Sequence, residues 1–153
     1  MNSTAAGENG FWRRLLGSSP WSKVMALSIG LSRTDDVHNA DYTSGIYLED
    51  DGYYWFLFPF FQDVWEQTGK IIDLYDDAVF SANELPVLLA ILERASAEAR
   101  EQPDEWDVRI GWRGDDALMS TVTKSELQAL LTKLIDLVTE AQSSLCAVVC
   151  FGD

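Results

Sequence analysis

Residues 46–61 read IYLEDDGYYWFLFPFF. Two runs of β-forming residues, IYLED and YYWFLF, flank Asp51-Gly52, a dipeptide that tolerates the positive φ angles a tight hairpin turn requires. The segment is therefore predicted to be a β-hairpin. Pro59 has no N–H to give a sheet ladder but fits the first turn of a helix. The second strand should thus yield to a short helix through Phe60, Phe61, Val64 and Trp65, stopped by Gly69. The competing reading is a helix from Trp55 onward.

Working outward, residues 24–32 (VMALSIGLS) alternate Met25, Leu27, Ile29 and Leu31 with small or polar residues, the period-two pattern of a half-buried strand. A loop, RTDDVHNADYTS, should separate it from the hairpin. Residues 1–20, rich in Gly, Ser, Asn and Thr, are expected to form a flexible tail in which Trp12, Leu15 and Leu16 are the only candidates for docking. Downstream, KIIDLY (70–75) is short, apolar and β-branched, hence a strand, and DDAVFSAN supplies a turn. Ser81 with Glu84 has capping-box spacing. Leu85, Leu88, Leu89, Leu92, Ala95, Ser96 and Ala99 then line one face of a helix ending near Gln102. WDVRIGW (106–112) places Trp106, Val108, Ile110 and Trp112 on one side of a strand. After GDDALMS, Thr123 and Glu126 repeat the box, and Leu127, Leu130, Leu131, Leu134, Ile135, Val138 and Ala141 mark the longest helix. CAVVCFG (146–152), apolar on both faces, reads as a central strand. The sum is an α+β fold: residues 21–153 as a single-domain mixed β-sheet packed against two long helices and one short helix, an αβ sandwich. Its second half is expected to be partly parallel with right-handed crossovers.

The chain has 153 residues, 47% hydrophobic and 12% aromatic, enough for its own core. Its 25 acidic residues against 11 Lys plus Arg give a net charge of -14, which argues against binding a nucleic-acid phosphate backbone. No apolar run nears the roughly 20 residues that span a bilayer, so no membrane partner and a cytoplasmic location are expected. The acidity is regional, for residues 35–77 hold 11 acidic side chains against a single Lys70. Such a field steers a cationic partner and raises its association rate.

Candidate chemistry is sparse. His38 is the only histidine, set in a polar loop where Asp36 or Asp41 can pair with it. G-x-S-x-G is absent. Cys146 and Cys150, four apart on a strand, lie about 13 Å from each other, beyond disulfide reach. Two thiols and one distant His also fall short of a four-ligand zinc site. The acidic groups Glu49-Asp50-Asp51, Asp76-Asp77 and Asp115-Asp116 adjoin predicted strands but lack calcium-loop spacing. Tyrosines do accompany them: Tyr42 and Tyr47 before the acidic turn, Tyr53 and Tyr54 after it, and Tyr75 before Asp76. Tyrosine beside carboxylates has the composition of a binding surface with a charged rim.

The YYWFLFPFF block, IIDLYDDAVF, the WDVRIGW strand and the terminal CAVVCFGD, across residues 45–153, resemble the small acidic immunity proteins that bacteria encode beside polymorphic or contact-dependent inhibition toxins. The likeness is one of size, charge and α/β alternation. It implies a non-enzymatic protein that binds one cognate toxin and blocks its active site or substrate entry, often a nuclease's basic cleft. No cofactor and no metal are expected. The expected partner surface comprises Glu49, Asp50, Asp51, Tyr53, Tyr75, Asp76, Asp77, Asp115 and Asp116, presented by a monomer or weak homodimer. Two other functions fit the same residues: a secretion chaperone-like dimer gripping an effector segment, and a divalent-metal hydrolase built on paired carboxylates.

Overall fold

The computed structural model describes residues 26–152. The expected tail over residues 1–20, with Trp12, Leu15 and Leu16, lies outside them, as do Val24 and Met25 of the first predicted strand. Strand β1 is Ala26–Ser32, a short 3-10 turn follows at Val37–Asn39, and β2 is Asp41–Glu49, so the intervening loop is shorter than expected.

The decisive correction concerns Asp51-Gly52, which turns no hairpin. Asp51 ends the strand segment with extended backbone, and its carboxylate accepts the N–H of Tyr53 at 3.0 Å and of Tyr54 at 3.4 Å. It is the N-cap of helix α1, Gly52–Thr68, because a short acidic side chain satisfies the orphan amides of a first turn. The buried residues Tyr54, Leu57, Phe61 and Val64 recur at helical spacing. An unbroken apolar run conceals that period, since every position is apolar whichever face is buried. Pro59 sits exposed inside the helix and removes one backbone bond. Gly69, at φ 77, closes the helix as expected, its N–H bonded to the Trp65 carbonyl at 2.7 Å.

KIIDLY is not a strand. Ile72 and Leu74 are buried, which accounts for the alternation, but the segment pairs with no neighbour among the described residues, and the Ile72 carbonyl accepts the Tyr54 hydroxyl at 3.0 Å. The ladder forms instead in the predicted turn, where β3 is Ala78–Phe80. Helix α2, Leu85–Arg100, realises half a capping box: Glu84 accepts the Ser81 N–H at 3.0 Å, while the Ser81 hydroxyl donates to Asn83 instead of capping. Helix α3, Lys124–Ser144, buries most of the predicted stripe and adds Leu137.

Strand β4, Glu105–Arg113, pairs with β5, Asp116–Thr123, through the two-residue turn Gly114-Asp115, in a segment where the sequence pattern assigns no strand. Gly114 takes φ 60 at the first turn position, where a type II′ hairpin needs glycine. A register shift between Arg109 and Gly111 reverses the alternation. Trp112 therefore leaves the face shared by Trp106 and Val108 and lies 57% exposed, with the Arg109 guanidinium over its ring.

The fold is α+β. Strand β6, Ala147–Gly152, is central as expected, in a four-stranded sheet of order β2-β1-β6-β3. Every pairing in it is antiparallel, so the expected mixed sheet with parallel crossovers does not form. The reason lies in β4, which satisfies its ladder locally with β5 and leaves α2 and α3 no parallel neighbours to connect. The three α-helices among the described residues have 17, 16 and 21 residues, so the helix expected to be short is as long as its neighbour. One hydrophobic core joins the inner sheet face (Leu27, Ile29, Ile46, Leu48, Val148, Cys150) to the helices and to Val122 of the hairpin.

Candidate functional site

The sheet register gathers most of the predicted surface at one end. Glu49 closes β2 opposite Ala26, the first residue of β1, while Gly152 closes β6 opposite Leu27, and Ala78 opens β3 opposite Cys150. Asp50 and Asp51 thus follow one strand, and Asp76 and Asp77 precede another, at the same end of the sheet. At about 4.8 Å per strand the two groups stand roughly 14 Å apart. The 76–77 turn is pressed onto the sheet: a Cβ at Gly152 would lie 2.4 Å from the Asp76 nitrogen, and the Gly152 N–H donates to Asp77 at 3.1 Å. The buried Tyr54 hydroxyl donates to the Ile72 carbonyl, and burial first, then the Asp73 and Asp50 carboxylates, hold it above the ordinary tyrosine range.

Beside β2 lies a groove of about 310 Å³ lined by Tyr47, Leu48, Glu49, Asp51, Tyr53, Glu126 and Leu130. Its floor is organised by Tyr53, whose hydroxyl donates to the Glu126 carboxylate at 2.6 Å and accepts the Thr123 N–H at 3.2 Å. The Thr123 and Glu126 spacing does mark the start of α3. The box is bridged by a phenol from another helix, and Thr123 itself makes no side-chain cap. Burial and the bond to Glu126 raise the Tyr53 phenol. Asp51, two residues earlier, is pushed up to about 6 by burial, with Glu49 and Asp50 adding repulsion and the Tyr54 and Tyr53 amides pulling the other way. Asp50 accepts the Trp55 indole N–H at 2.6 Å.

Of the predicted residues, Glu49, Asp51 and Tyr53 share the groove, Asp50 adjoins it, and Tyr75, Asp76 and Asp77 stand at the same sheet end. Asp115 and Asp116 do not join them. They occupy the tip of the β4–β5 hairpin, four to five residues before Ser120, whose hydroxyl accepts the Gly52 N–H at 3.0 Å. Sequence reasoning missed Glu126 as a groove carboxylate, having assigned it only to a helix cap. It also missed Asp73, and Phe151, whose ring meets the edge of His38 at a centroid distance of 5.5 Å. Phe151 and Tyr47 both lie opposite Ser28 on the sheet face away from the helices, and Tyr47 is 62% exposed. In the loop before β2, the His38 backbone N–H donates to Asp36 at 2.9 Å.

Cys146 and Cys150 are free and buried, and burial, then Asp77, pushes the Cys150 thiol up to about 12, far from thiolate character. Among the described residues no group of three or more His, Cys, Asp or Glu side chains is placed to hold a metal ion. No helix among them is long and apolar enough to cross a membrane. No protein-family model matches this chain, nor does any curated protein or solved structure.

Proposed function

We propose that this protein is a non-enzymatic acidic inhibitor, which neutralises a cationic, toxin-like protein by covering its active site or substrate cleft. The observation that carries the reading is the convergence of Glu49, Asp50, Asp51, Asp73, Asp76 and Asp77 on one end of the sheet, beside exposed Tyr47 and Tyr75. Carboxylates focused on one end accelerate encounter with a positive cleft, and aromatic residues supply contact area once docked. The reading places the protein in the compartment where its toxin acts, taken to be the cytoplasm.

The test compares equal charge changes at two places. Among the described residues the Glu49 and Asp76 side chains make no hydrogen bond, so Glu49→Lys/Asp76→Lys alters the sheet end with little structural cost, and Asp115→Lys/Asp116→Lys makes the same change at the hairpin tip. With the partner captured from the native cell, the sheet-end variant should associate roughly 10- to 100-fold more slowly at low salt, and the hairpin variant far less so. Equal slowing by both variants would mean that net charge, and no located surface, governs binding.

A further inference from the structure

We infer that the groove is a strand-addition site: the edge of β2 at residues 46–49, unpaired among the described residues, receives an extended basic segment of a protein partner as a further strand, with a lysine or arginine of that segment seated among Glu49, Asp51 and Glu126. The inference rests on the inhibitor reading only for the identity of the partner.

Among the described residues strand β2 is terminal in the sheet, and one side of its backbone has no ladder partner there. Its pairing with β1 is regular from Ala26↔Glu49 to Ile29↔Ile46 and breaks at a register shift before Leu31↔Asp41, leaving four straight residues. Tyr47 points away from the helices and Leu48 into the core, yet both line the groove. A single groove reached from both faces of a strand must run along that strand's edge. Edge strands ordinarily carry lysine, proline or a bulge to block pairing. Residues 46–49, Ile-Tyr-Leu-Glu, carry no such block within their length. An added strand would gain main-chain hydrogen bonds there, while its alternate side chains drop into the groove or lie against Tyr47.

Charge decides the occupant. Among the described residues three carboxylates and no Lys or Arg line the groove, so a cationic side chain is the complement. A second copy pairing through the same edge would bring two sets of these carboxylates together in molecules of net charge -14. That repulsion disfavours homodimer formation and favours a basic partner.

The test uses the full chain, 15N-labelled, titrated with the peptide Ac-Val-Lys-Val-Arg-Val-NH2 and with its analogue methylated at every backbone amide. The unmodified peptide should shift the amide signals of residues 46–49 and slow hydrogen exchange at the edge-facing ones about tenfold. Glu49→Gln/Glu126→Gln should weaken binding about tenfold, the loss expected on removing charge-assisted contacts. The methylated analogue should not bind. Equal binding by the analogue would overturn strand addition while leaving the acidic-surface reading intact. Protection of 46–49 in the free protein, together with a dimer mass by light scattering, would make a second copy the occupant and overturn the inference, as would the absence of any shift at millimolar peptide.

Discussion

Replacing Asp51 by Asn should stabilise the protein at neutral pH, although Asp51 caps a helix. Its two contacts to the fold, the N–H groups of Tyr53 and Tyr54, are accepted by a carboxylate oxygen that an Asn side-chain carbonyl can replace, and Asn is an equally good N-cap. What Asn lacks is the charge. The Asp51 carboxyl titrates at about 6 in the fold against 3.8 for an unperturbed group, chiefly because it is buried. A raised carboxyl favours the folded state only while protonated. That contribution is complete below the unfolded value and is lost as pH climbs through the folded one. The displacement corresponds to about 3 kcal/mol when integrated to pH 7.5, of which about 1 kcal/mol has gone by pH 4.5. Asp51→Asn should therefore gain roughly 2 kcal/mol on the native chain between pH 4.5 and pH 7.5, a difference in Tm of about 4–8 °C for a chain of this size. Urea unfolding at the two pH values measures it directly. If the advantage of Asn were the same at both pH values, or if Asn were worse at pH 7.5, the carboxylate would not be destabilised by its surroundings and the argument would fail. The same titration has a functional side: protonating Asp51 removes one of three groove charges, so affinity for the basic peptide should fall as pH drops through about 6.

Three other substitutions probe how the site is held. Tyr53→Phe removes the hydroxyl between Thr123 and Glu126 and should cost about 1 kcal/mol, the value of a partly exposed bond to a charged group; a double-mutant cycle with Glu126→Gln that proved additive would deny the link. Leu145, the residue after α3, holds a left-handed φ of 57 while 87% exposed, so Leu145→Gly should relieve strain with little packing lost and raise stability by about 0.5–1 kcal/mol in chemical denaturation. A loss would mean that the exposed leucine makes a contact that holds the fold. Gly152→Ala forces a Cβ against the Asp76 backbone and should cost about 2 kcal/mol while moving the amide signals of residues 75–77; unchanged signals there would show that the turn is not seated on β6.

Where one face of an element is apolar and the other polar, the sequence declared it: the stripes of α2 and α3 and the alternation of β1 are legible because burial itself imposes the period. The run from Tyr53 to Phe61 defeated that logic. When both faces are aromatic no period survives, and the only local clue was Asp51, whose preference for a helix N-cap competes with the preference of Asp-Gly for a turn. KIIDLY failed for a different reason, since alternation reports an extended chain with one buried side and is silent on whether a neighbour pairs with it. The bulge after Arg109 exposed Trp112 through a register shift that no residue in WDVRIGW announces. Glu126 could be found only in three dimensions, because its neighbour in the groove, Tyr53, is 73 residues away in the chain.

These misreadings converge on the site. Had Asp51-Gly52 turned a hairpin, a second strand would have paired with β2 and covered the edge at residues 46–49. By capping a helix instead, Asp51 sends the chain away from the sheet, leaves that edge without a partner among the described residues, and stands beside it with its own carboxylate. Burial raises that carboxyl to about 6, so the fold holds the charge beside the edge against the preference of its surroundings, a tension that Asp51→Asn releases without loss of the cap. On that reasoning stability and partner affinity should move in opposite directions in Asp51→Asn, one rising and the other falling, and a variant in which both rose together would separate the helix cap from the binding surface.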